Sequence, residues 1–166
     1  MKRRPTAEEM LDRMAGLCAG AEQCASDIRS KILRQGFSVD EADRMIAYLQ
    51  RNKYLDDARY ARAYAVDKVR FSGWGRMKVR MGLRAKGMED AVISQALEYI
   101  PNADYQEALW KVMGAKGKSL DLHDVKDRQK LYRHMASRGF ESGLIIAAMR
   151  RYMAQREEKE KDEREE

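Results

Sequence analysis

Gly36, Gly87 and Gly139 stand 51 and 52 residues apart, and the same apolar pattern surrounds all three. Eight residues before each glycine are Ile28, Val79 and Leu131, and four before are Ile32, Leu83 and Met135. One after are Phe37, Met88 and Phe140; six after are Ala42, Ile93 and Ile145. Ten after are Ile46, Leu97 and Met149; thirteen after are Leu49, Ile100 and Tyr152. Such a period marks tandem copies of one supersecondary unit. The two positions ahead of each glycine share one helical face. The glycine then ends that helix in a left-handed cap, with the next residue packed on the one four before the glycine. The three later positions form the inner face of a following helix. Each copy is too small for a core of its own, so the copies must stack.

The boundaries carry helix signals. Ser38 with Glu41, and Thr6 with Glu9, read as capping boxes. Glu89 and Glu141 are weaker caps at the matching places. A third helix follows in two copies, through Tyr60, Ala61, Tyr64 and Ala65, and through Ala108, Leu109 and Val112. Asp56 or Asp57 should cap the first and Asn102 the second. The third copy instead continues into "AQREEKEKDEREE", which has no apolar face and predicts a frayed helical extension or disorder. The expectation is an all-α chain of tandem three-helix repeats stacked into an elongated, curved body. Its segments are an N-terminal helix in 1–24, repeats in 25–72 and 73–118, a shortened repeat in 119–155, and a charged tail in 156–166.

Composition agrees with helices and narrows the function. Two prolines and eleven glycines in 166 residues disfavour a turn-rich β fold. The net charge is +6, and residues 156–166, with seven acids and four bases, carry −3 of it, leaving a body of +9. A basic body suggests a polyanionic or acidic partner. Cys18 and Cys24 have neither a disulfide framework nor a zinc spacing, and two free thiols fit a reducing cytoplasm. No apolar run of membrane-spanning length occurs, and "MKRRPTAEEM" lacks the apolar core of a signal peptide. Asp56 and Asp57 are explained as caps rather than as a catalytic pair. His123 and His134 lack ligand partners in register, and "GAKGKS" lacks the spacing of a phosphate loop. No catalytic, cofactor or metal residue is identified, so an enzyme is disfavoured.

From Lys68 to Met88 there are seven Lys or Arg and no Asp or Glu. The candidate partner- or DNA-binding residues are Arg70, Trp74, Arg76, Lys78, Arg80, Arg84 and Lys86. On a helix over 75–86, Met77, Val79 and Leu83 should face or border the core. Arg76, Arg80 and Arg84 should form one exposed row at i, i+4 spacing. Trp74, between Gly73 and Gly75, either stacks on a partner or closes a joint between helices.

The stretches "YLDDARYARAYAVDKV" and "RMKVRMGLRAKGMEDAVISQAL", separated by the Gly73–Gly75 loop, resemble the signature of the RecX family of bacterial RecA regulators. The resemblance covers roughly residues 25–153 and is tightest from 53 to 98. It implies a non-enzymatic protein of tandem three-helix repeats. Such a protein lies in the groove of the RecA–single-stranded-DNA filament and suppresses strand exchange, ATP hydrolysis and coprotease activity. The segment "GAEQCASDIRSK" keeps Ser26 but has only Arg29 and Lys31 where family members usually carry a basic cluster. The implied partners are the RecA filament and single- or double-stranded DNA, for a cytoplasmic chain expected to be monomeric. A stand-alone helical nucleic-acid-binding module is the alternative.

Overall fold

The computed structural model describes residues 3–165, which form nine helices and no strand. They are α1 (Ala7–Gly20), α2 (Ala25–Arg34), α3 (Val39–Arg51), α4 (Asp57–Ser72), α5 (Arg76–Ala85), α6 (Asp90–Glu98), α7 (Asn102–Gly117), α8 (Val125–Ser137) and α9 (Ser142–Glu165). The chain divides into two compact units, Met1–Ala63 with Leu83–Ala96, and Tyr64–Gly82 with Leu97–Glu166.

The glycine pattern becomes three helix ends. Gly36, Gly87 and Gly139 have φ of 86°, 76° and 93°. The last two complete the Schellman pair of bonds, with Met88 N–H on the Leu83 carbonyl at 3.2 Å and Phe140 N–H on that of Met135 at 3.3 Å. The apolar partners on each side of all three glycines are buried. A fourth end of the same shape closes α3, where Lys53 holds φ 61° without being a glycine.

The first unit has a core of Met10, Met14, Ile28, Ile32, Phe37, Met45, Leu49 and Leu55. Both expected capping boxes form, at Thr6–Glu9 and Ser38–Glu41. The two aspartates divide their work. Asp56 accepts from Arg59 N–H at 3.0 Å and caps its own helix, α4. Asp57 accepts from Ala25 N–H at 3.0 Å and so serves the start of α2, whose N-cap Cys24 makes no side-chain cap bond. Ser26 donates to the Lys86 carbonyl at 2.7 Å, near the Gly87 helix end.

In the second unit α7, α8 and α9 bury Tyr105, Leu109, Met113, Leu131, Met135 and Ile145. Asn102 is not the cap expected: α7 begins at Asn102 itself, after Pro101, without a side-chain cap bond. Proline positions the chain there because its φ is already fixed near the required value. The charged tail is also more regular than its composition suggests, because α9 runs on to Glu165. That tail is anchored at its start, where Arg156 donates to the carbonyls of Gly117 and Leu120, at 3.1 and 2.9 Å. Gly117 is the last residue of α7, so the cation lies at the negative end of that helix.

Candidate partner-binding surface

The basic stretch begins on α4, turns at Ser72–Gly75 and continues along α5. Its bend is clamped from within the second unit. Gly75 N–H donates to the Arg138 carbonyl at 2.8 Å, and Met77 N–H to that of Gly139 at 2.9 Å. The approach is so close that a Cβ on Gly75 would lie 2.2 Å from the Gly139 carbonyl carbon. Arg138 also reaches the Ser72 carbonyl.

Trp74 stands on this bend, half-buried, with its ring edge-on to Tyr64 at 6.3 Å. The ammonium groups of Lys68 and Lys78 each sit 4.7 Å from the Trp74 ring centre. Both cations gain from the ring's negative face. Neither makes an ion pair with a described residue. The tryptophan ring therefore meets Tyr64 of α4 and gathers two cations that lack ion pairs among the described residues.

The other candidates separate into distinct roles. Arg70 donates to Asp104 at 2.7 Å. Arg76 is not part of a free exposed row: its guanidinium lies 3.7 Å from the Tyr105 ring centre and pairs with Glu141 at 3.4 Å. Tyr105 completes that node, donating to Glu141 at 2.7 Å and accepting from Arg76 N–H at 3.1 Å. Burial, reinforced by the Glu141 hydrogen bond, pushes the Tyr105 phenol well above its usual range. Lys86 pairs with Asp27 at 2.7 Å, and Arg84 with the exposed Asp90 at 3.1 Å. Arg80 is half-exposed and has no ion pair among the described residues. The acids missing from residues 68–88 are thus supplied from 34 to 65 residues away for Arg70, Arg76 and Lys86, which no local sequence window reveals, and from nearby Asp90 for Arg84.

Met77 departs from the sequence expectation. It is 52% exposed, and Met81 is 69% exposed, while Val79 and Leu83 are fully buried. At about 100° per residue, Met77 and Met81 lie across the helix from the Val79–Leu83 stripe. The helical spacing contained this signal, and side-chain type alone obscured it.

Among the described residues no group of three His, Cys, Asp or Glu is placed to hold a metal ion, and no helix is long and apolar enough to cross a membrane.

Comparison with known proteins places this geometry. Residues 56–97 match the family model described as RecX, second three-helix domain, and residues 103–149 match RecX, third three-helix domain. A protein named regulatory protein RecX from Prosthecochloris aestuarii is 31% identical over 137 residues, spanning 81% of this chain and 87% of that relative. The chain belongs to the RecX family. The RecX relative from Pasteurella multocida is 30% identical over 132 residues, covering 78% of this chain and 79% of its own. The crystal structure of RecX from Lactobacillus salivarius shares the fold at a TM-score of 0.76 and 16% identity, across 87% of this chain and 95% of that one. The two matched domains group the helices as α4–α6 and α7–α9. Cutting after Ser72 and after Lys118 divides the same succession of helices in a different phase.

Proposed function

We propose that this RecX chain regulates RecA by occupying the RecA–single-stranded-DNA filament, and that it restrains strand exchange, ATP hydrolysis and coprotease activity without catalysing a reaction. The observation that carries this reading is the set of cations around the α4–α5 bend. Lys68, Lys78 and Arg80 have no carboxylate partner among the described residues, and the two lysines stand beside a half-buried tryptophan. Like charges held together repel one another, so a filament rich in phosphate and acidic side chains would relieve a standing cost. Occupancy of the groove would bridge neighbouring RecA subunits and block extension. The candidate contact set is Arg70, Trp74, Lys78, Arg80, Arg84 and Lys86, with Arg76 acting through the Tyr105–Glu141 node that orients the start of α5.

A stand-alone nucleic-acid-binding module is the second reading, favoured by the Trp74 ring and its two lysines, a combination that suits base stacking and backbone neutralisation. The deciding experiment measures RecA-dependent ATP hydrolysis on single-stranded DNA at substoichiometric amounts of this protein. Inhibition there, with binding that distinguishes the RecA–DNA–nucleotide complex from bare DNA, is the expected result. Equal binding to bare DNA with steep loss in salt, and no effect on hydrolysis, would favour the second reading.

A further inference from the structure

We propose that the outward face of α5 built on Met77, Arg80 and Met81 docks a protein segment that is apolar at its centre and carboxylate-bearing at its rim, an acidic amphipathic helix. Met77 and Met81 are i, i+4 neighbours, both more than half exposed, on a ten-residue helix that buries Val79 and Leu83 on its other side. Exposed methionines side by side add nothing to the fold. Their flexible, polarisable thioethers suit a surface that must shape itself to a partner. Phe71, 82% exposed at the end of α4, is a further large apolar side chain in the same unit.

The charge on this face selects the occupant. Arg80 lies three residues from Met77 and next to Met81, and it forms no ion pair among the described residues. A partner must therefore bring apolar side chains and negative charge together. Phosphates alone would satisfy Arg80 and leave both thioethers in water. A second copy paired face to face about a two-fold axis would set Arg80 against Arg80. The chain's own acidic stretch, residues 157–165, has no apolar side chain to cover the methionines. A protein helix with alternating acidic and apolar positions meets both demands. The assignment rests on the filament reading above and refines it: this face meets the filament's protein, not its DNA.

The test is the double substitution Met77→Gln with Met81→Gln, which keeps side-chain length and helix propensity. Three quantities are measured: the thermal midpoint, the affinity for RecA–single-stranded-DNA filaments held by a non-hydrolysable ATP analogue, and the affinity for bare single-stranded DNA. The midpoint should stay within about two degrees. Filament affinity should fall about tenfold or more while bare-DNA affinity holds. Met77→Leu with Met81→Leu should retain filament binding, and Arg80→Glu should weaken it where Arg80→Lys does not. Filament binding as tight as wild type, parallel loss of both affinities, or a lowered midpoint would each overturn the proposal. So would a wild-type dimer abolished by the glutamine pair. Wild-type protein that treats filament and bare DNA alike would instead fell the functional reading itself, and this assignment with it.

Discussion

The three glycine helix ends look equivalent along the chain, yet they carry different demands. At Gly87 a Cβ would meet nothing within 4 Å, so only the positive φ of 76° opposes a side chain. Gly87→Ala should cost about 1 kcal/mol, read from denaturant unfolding. Gly75 has the opposite problem, since its Cβ would lie 2.2 Å from the backbone of Gly139. Gly75→Ala should cost about 3 kcal/mol or more, or prevent folding of the second unit. His134 gives a pH dependence at the same scale. Burial first, and then the charges of Lys116 and Arg138, hold its pKa below the ordinary 6.5. The unfolded chain therefore takes up the proton before the folded chain does. Stability from this residue is complete above about pH 6.5 and is lost as pH falls through the folded value. His134→Gln should flatten the acid-side decline of the thermal midpoint below that pH. The glycine ends and the capping boxes were readable in the sequence because each is decided within six residues. Asp57 was only half readable: the helix-start signal is local, but the amide it serves lies 32 residues earlier.

Helices were legible wherever one face is apolar, and the periodicity located α2, α3, α5, α6 and α8 through their buried stripes. The end of α9 was not, because residues 156–165 have no stripe and their helix continues from packing established upstream. Arg156 is the dividing point, since it donates to two carbonyls outside its own helix. Arg156→Ala should lower stability by about 1 kcal/mol. Deletion of residues 157–166 should leave the thermal midpoint within about two degrees, because its charged side chains form only weak surface contacts. That deletion removes seven acids and three bases, raises the net charge from +6 to +10, and should strengthen non-specific DNA binding. Equal destabilisation by both changes would mean that the final turns of α9 also pack. On α5 the buried face was read correctly from Val79 and Leu83. Met77 was misassigned because methionine is as much at home in a core as on an adaptable surface.

For the whole molecule, the succession of three-helix units was visible in the repeat, and the family in residues 53–98. Its basic stripe was visible only as composition. The structure removes Arg76, Arg70 and Lys86 from the pool of free charge and leaves Lys78 and Arg80 as the cations of α5 without an ion pair among the described residues. Arg84 keeps a single exposed pair with Asp90, of the kind that exchanges readily for a partner. Arg80→Glu with Arg84→Glu should leave stability within about 0.5 kcal/mol. The same protein should inhibit RecA much less, and wild-type inhibition should itself fade as salt rises. Normal inhibition by the folded double variant would remove α5 from the functional surface. Arg76→Ala should behave differently, lowering the thermal midpoint as well, because it strips a cation from both Tyr105 and Glu141.

The clamp on the α4–α5 bend also sets an order of events at the ribosome. Three successive amides, those of Gly75, Arg76 and Met77, find their acceptors on Arg138, Tyr105 and Gly139. Arg138 and Gly139 have not been translated when α5 leaves the exit tunnel. The nascent chain must carry the Gly75 and Met77 amides without these acceptors for more than 60 residues of synthesis, and a chain stalled near residue 120 should be nicked by protease at 72–77.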